Sequence, residues 1–109
     1  IPIKVMRDNL AAMIELSRAA GAEVILAGMQ IPTNYGSGYT QAFTAVYPDL
    51  ARQYRVALVA FFLERVALDL DLIQADGIHP TAEAQPLLLE NVWPVLEKKL
   101  RKSPKTAAR

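Results

Sequence analysis

Two short apolar runs, Glu23-Val24-Ile25-Leu26-Ala27-Gly28 and Val56 to Phe61, constrain this chain more than any other feature. Neither alternates polar with apolar residues, and both are too short for a buried helix. Such runs suit strands of a parallel sheet covered on both faces. Amphipathic stretches stand between and around them. Residues 3 to 20 place Met6, Leu10, Met13, Ile14 and Ser17 at three- and four-residue spacing, and Gly21 stands where a left-handed cap would end that helix. A second helix is predicted from Thr40 to Tyr54, with Phe43, Val46, Tyr47, Leu50 and Tyr54 facing inward and Pro48 expected to kink or split it. Phe62 to Leu68 allows one or two helical turns. Thr81 is placed to cap a last helix reaching Lys102, with Leu87, Leu88, Val92, Val95, Leu96 and Leu100 as its apolar face. Pro86 and Pro94 fit its first turn and a kink.

Helix, strand, helix, strand, helix is the rhythm of an α/β domain with a parallel sheet. Two strands alone leave faces and edges uncovered, and a parallel unit ordinarily opens with a strand, whereas this chain opens with a helix. The expectation is therefore the C-terminal part of a larger domain, spanning residues 1–102, with upstream chain missing or present as a separate piece. Ser103 to Arg109 is small, polar and basic and reads as a frayed tail.

Composition narrows the function classes. No apolar stretch approaches the length of a membrane span. The absence of cysteine excludes disulfides, thiolate metal sites and a cysteine nucleophile. Half of the twelve basic residues lie between Lys98 and Arg109, where no acid occurs; the other six stand against all eleven acids, a net −5. An acidic body with an aromatic-free basic tail argues against nucleic-acid binding. No glycine-rich phosphate loop is present.

The strongest chemical pattern is Asp76-Gly77-Ile78-His79-Pro80, which contains the only histidine. An Asp three residues before a His can make the base half of a hydrolytic triad: the imidazole takes a proton and the carboxylate fixes its tautomer. On composition alone a second reading stays open, since a His before Pro at a helix start often only caps or packs, and Asp-Gly is a common turn pair. One His and one Asp fall short of a metal's ligand set, and neither metal nor cofactor is expected. A nucleophile is not evident. Ser17 belongs to the first helix and Ser103 to the tail. Ser37 lies in Gly36-Ser37-Gly38, but the nucleophile-elbow positions two residues either side hold Tyr35 and Tyr39. The loop Gln30 to Tyr39 carries a Pro, two Gly and an Asn, which suits either a ligand-facing loop at a strand end or an ordinary connection.

Asp76-Gly77-Ile78-His79-Pro80 with Ala84-Gln85-Pro86 resembles the last block of the SGNH (GDSL-type) hydrolases, in their bacterial thioesterase/arylesterase/lysophospholipase branch. Ile31-Pro32-Thr33-Asn34-Tyr35-Gly36, Tyr39 with Ala42-Phe43, Val46-Tyr47-Pro48 and Phe61-Phe62 extend the resemblance upstream in order. It implies a flavodoxin-like three-layer α/β/α sandwich with the active site at the carboxyl ends of the strands. It also implies His79 as general base and Asp76 as its orienting acid. Ile31, Pro32, Tyr35, Ile78 and Pro80 are the expected acyl-binding residues, the alternative being that they only pack their loops. The family's Gly-Asp-Ser nucleophile block, oxyanion glycine and Gly-x-Asn-Asp block have no counterpart here. The resemblance thus implies a partner, the N-terminal segment of the same hydrolase domain, a small ester or thioester substrate, and inactivity of this chain alone. Relatives of this branch are commonly periplasmic or secreted. The alternative is a non-catalytic α/β binding module that kept the loop and lost the nucleophile.

Overall fold

A computed structural model describes residues 1–102, so the basic tail lies outside the described residues. The described residues form two compact units, 1–60 and 61–102.

The first unit contains α1 (Ile3–Ala19), β1 (Ile25–Ala27), α2 (Ser37–Tyr54) and β2 (Ala57–Val59). The strands pair in parallel, with Ile25 opposite Ala57, Leu26 opposite Leu58 and Ala27 opposite Val59. The α/β class and the parallel sheet expected from the sequence are present, and the described residues contribute two strands to that sheet. Each strand is shorter than its apolar run because a parallel ladder lasts only where both chains overlap. Ile14, Leu26, Val46, Tyr47 and Leu50 form the core, with Met6, Leu10, Phe43 and Tyr54 packed against it.

The end of α1 follows the sequence closely. Gly21 has φ +88°. Its N–H reaches the Arg18 carbonyl at 2.9 Å, and the Ala22 N–H reaches the Ser17 carbonyl at 3.0 Å. This pair of bonds is a Schellman cap built on the one residue type that adopts that φ without strain. Three expectations for this unit need correction. Met13 is 56% exposed, displaced from the core by Ile14, which lies one step round the helix and takes the inward position. The second helix begins three residues early, because Gly36 at φ +93° turns the chain directly into Ser37. Pro48 does not split α2, whose buried neighbours Val46, Tyr47, Leu50 and Ala51 hold the helix across the lost hydrogen bond.

At the ends of the two strands the backbones almost touch. The Gly28 N–H donates to the Val59 carbonyl at 2.7 Å. A Cβ on Gly28 would run into the Ala60 carbonyl oxygen. Only glycine fits there.

The second unit opens with successive turns over residues 62–68, then a 3-10 turn at Leu70–Leu72, a second at Ala82–Ala84 and α3 (Gln85–Lys102). Its core is smaller: Val66, Ala84 and Leu88, flanked by Phe62, Leu63, Leu72, Ile73 and Leu87. The Asn91 carboxamide ties α3 to the turns by donating to the carbonyls of Phe62 at 3.0 Å and Glu64 at 2.8 Å. Thr81 stands at the entry to the last helical segment as expected, but its hydroxyl makes no capping bond and is buried without a partner. Its carbonyl accepts instead, from the Ala84 N–H and the Gln85 side chain. No helix among the described residues is long and apolar enough to cross a membrane.

Candidate active site

Residues 73–81 form a closed loop. Ile73 and Pro80 meet in an antiparallel bridge. The Gln74 N–H donates to the His79 carbonyl at 2.7 Å and the Thr81 N–H to the Leu72 carbonyl at 2.8 Å. Inside it the Gly77 N–H bonds back to the Gln74 carbonyl at 2.9 Å, and Gly77 takes φ +73°. Asp-Gly supplies this turn for physical reasons: Gly accepts the positive φ, and the Asp carboxylate can bond to backbone amides ahead of it.

Asp76 uses both oxygens. Its Oδ1 accepts from the N–H groups of Ile78 at 2.9 Å and His79 at 3.0 Å. Its Oδ2 lies 2.6 Å from His79 Nδ1. Since a carboxylate only accepts, the proton of a neutral imidazole sits on Nδ1, and Nε2 keeps its lone pair. The side chain of His79 is 69% exposed, so burial does little to fix the ring. The His79 ring bond, then the amides of His79 and Ile78, stabilise the anion and lower the Asp76 pKa from 3.8 to about 2. The carboxylate is therefore charged throughout the neutral range and can stabilise an imidazolium as it forms.

The structure brings Asp76, Ile78, His79 and Pro80 together in the second unit, with Ile78 exposed and Pro80 half-buried. Ile31, Pro32 and Tyr35 belong to the first unit. There Ile31 and Tyr35 help line an open apolar groove of about 710 Å³ between α1, the 31–36 loop and α2. Met6, Leu10, Met13, Tyr39 and Phe43 complete most of its wall, and Pro32 is not part of it. Tyr39, Phe43 and Tyr47 follow one another along α2, the first pair of rings tilted and the second edge-to-face, with centroids 6.5 and 6.1 Å apart. Sequence reasoning named the loop residues and missed the helical half of this groove, although the four-residue spacing of three aromatic rings was available as a signal.

No group of three or more His, Cys, Asp or Glu capable of holding a metal ion occurs among the described residues. Within residues 61–102 the only hydroxyl or thiol side chain is that of Thr81. Ser37 is the first residue of α2 and lies in a regular helical turn rather than a strand-to-helix elbow.

No family model matches the chain. It is 53% identical over 92 residues to the protein named Esterase TesA of Pseudomonas aeruginosa, covering 84% of this chain and 46% of that protein. It is 42% identical over 83 residues to Thioesterase 1/protease 1/lysophospholipase L1 of Escherichia coli strain K12, covering 76% of this chain and 40% of that protein. Among solved structures, the crystal structure of TesA superposes with a TM-score of 0.84 at 50% identity, over 90% of this chain and 54% of that one. AlinE4, described as an SGNH-hydrolase family esterase, superposes at 0.67 and 37% identity, over 92% of this chain and 53% of its own. The chain thus spans about half the length of the curated relatives it matches. The resemblance read from residues 31–86 is borne out in both sequence and fold.

Proposed function

We propose that this chain, a homologue of the SGNH-hydrolase esterases over about half their length, supplies the general-base half of a serine hydrolase acting on carboxylic esters or thioesters. One observation carries the reading. Asp76 is held by two backbone amides and presents its second oxygen to His79 Nδ1 at 2.6 Å, which leaves Nε2 unprotonated. That arrangement has one obvious use: accepting a proton from a nucleophile.

In this reading a serine hydroxyl attacks the acyl carbonyl while Nε2 removes its proton. The tetrahedral intermediate collapses as the imidazolium returns that proton to the departing alcohol or thiol. Water, activated by the same nitrogen, then releases the acid. Asp76 stays ionised throughout and stabilises the transient cation.

The serine and the oxyanion donors come, in this proposal, from an N-terminal segment of the same domain. Ser17 and Ser37 lie within helices of the first unit, and residues 61–102 hold no serine. An unfilled apolar stripe on α3 supports such a partner. Leu89, Trp93 and Leu100 are all more than two-fifths exposed, and Leu89, Glu90, Trp93 and Pro94 line an open groove of about 550 Å³. Helix faces of this kind are ordinarily covered.

Fluorophosphonate labelling tests the reading directly. The chain alone should remain unlabelled and should not hydrolyse p-nitrophenyl esters. The chain joined to the N-terminal part of the P. aeruginosa relative should be labelled on a serine of that part and turn over. Labelling of Ser37 in the isolated chain would sink the proposal.

A further inference from the structure

Gln74 was not singled out by any motif, yet three of its groups hold three residues of the Asp76–His79 loop. Its N–H binds the His79 carbonyl at 2.7 Å and its carbonyl binds the Gly77 N–H at 2.9 Å. Its side-chain Nε2 donates to the Pro80 carbonyl at 3.0 Å. The third bond answers a specific deficiency. The bonds of the Ile73–Pro80 bridge run between Gln74 and His79 and between Thr81 and Leu72, so the Pro80 carbonyl takes no part in it and finds its partner in the Gln74 carboxamide. Without the Gln74 carboxamide that carbonyl would face water, and the peptide between Pro80 and Thr81 would be held by the Thr81–Leu72 bond alone. The imidazole is exposed and hangs from the loop backbone, so its aim depends on hydrogen bonds rather than packing.

We propose that Gln74 is a positioning residue for His79. Its carboxamide holds the backbone of residues 79–81 so that Nδ1 meets Asp76 Oδ2 and Nε2 faces outward. The consequence for catalysis rests on the reading of His79 as the base. The geometric statement does not.

The test uses the full chain, in which the single histidine makes ring signals unambiguous. Long-range ¹H–¹⁵N spectra of the neutral imidazole should show a protonated Nδ1 and a lone-pair Nε2 in the native chain. Gln74→Ala should pull the two nitrogen shifts toward those of a free imidazole, with the amide signals of α3 unchanged. Gln74→Glu keeps the side chain's size but replaces the donor with a carboxylate, so it should behave like Gln74→Ala. A native ring spectrum in Gln74→Ala would overturn the proposal, and so would one in Gln74→Glu, which would mean that bulk alone suffices. Ring changes accompanied by collapse of the α3 amide dispersion would reduce Gln74 to a structural residue and overturn it as well. In the completed hydrolase, Gln74→Ala should lower kcat by about ten- to a hundredfold with KM unchanged, as expected for a misaimed base. Because the spectra need no turnover, failure of this inference and failure of the hydrolase reading are separately visible.

Discussion

The two units reach order by different means. In residues 1–60 a layer of helices buries Ile14, Leu26, Val46, Tyr47 and Leu50 against a parallel ladder, and shape follows from volume. In the second unit three buried side chains, Val66, Ala84 and Leu88, form the core, and much of the conformation is written in polar bonds. Asp69 accepts from the Asp71 N–H, Gln74 grips Pro80, Asp76 gathers the amides of Ile78 and His79, and Asn91 ties down two carbonyls. The difference follows from what each unit presents. A proton acceptor must be reachable, so it cannot be fixed by burial and is fixed by hydrogen bonds instead. Aromatic walls are fixed by burial at their backs.

The comparison predicts that chemistry and stability separate cleanly. His79→Ala in the completed hydrolase should cost about 10⁴- to 10⁶-fold in kcat/KM, the range for loss of a base that acts through a nucleophile. The fold should be untouched, since the ring is 69% exposed and bonds only to Asp76. Trp93, the single tryptophan, lies in the second unit and reports on it alone. Near-native hydrolysis by the variant would remove His79 from the mechanism. A shifted Trp93 unfolding midpoint would show that the loop's polar bonds carry more of the unit's stability than its exposure implies.

The first unit should respond in the opposite way. Leu50 is 1% exposed at the centre of the core, and Leu50→Ala should destabilise the unit by about 2–5 kcal/mol. All four tyrosines lie within residues 1–60, so tyrosine emission follows this unit. Gly28→Ala should cost about 1–3 kcal/mol in the same measurement, because its methyl group collides with the Ala60 backbone and neither strand end can yield without losing the Gly28–Val59 bond. A Gly28→Ala chain of native stability would mean that the strand ends are looser than the ladder suggests.

What was legible in the sequence follows the same division. Periodicity located α1, α2 and α3, because burial of one helix face repeats, and unbroken apolar runs located both strands, because burial of both sheet faces leaves no alternation. Gly21 marked its helix end through backbone sterics, and Asp76-Gly77-Ile78-His79 was readable because a turn pair and a titratable pair overlap in four residues. The corrections fall where one residue had two options. Met13 and Ile14 both suit the inner face, and only packing chose between them. Thr81 has a hydroxyl that can cap, and the Thr81 carbonyl accepts instead. Gln74 was invisible because its role depends on a bridge between residues seven apart, which no local pattern encodes.

The smallest expected effect is the most specific to the polar unit. Asp76 has its pKa lowered to about 2 because the folded loop bonds its charged form through the His79 ring and two amides. Folding thus favours the ionised carboxylate. The sign is fixed by linkage: this contribution is fully present above the ordinary value of 3.8 and is lost as pH falls through about 2. Above pH 4, any loss of hydrolysis in acid belongs to another group. The side-chain carboxyl carbon of Asp76 should titrate in the full chain with a midpoint near 2. Asp76→Asn should abolish that step and leave His79 without a charged acceptor, lowering turnover of the completed hydrolase by as much as His79→Ala or less. A midpoint near 3.8 would mean that the two amides and the ring do not hold the carboxylate in solution. The polar unit would then lack the fixed geometry that distinguishes it from its apolar neighbour.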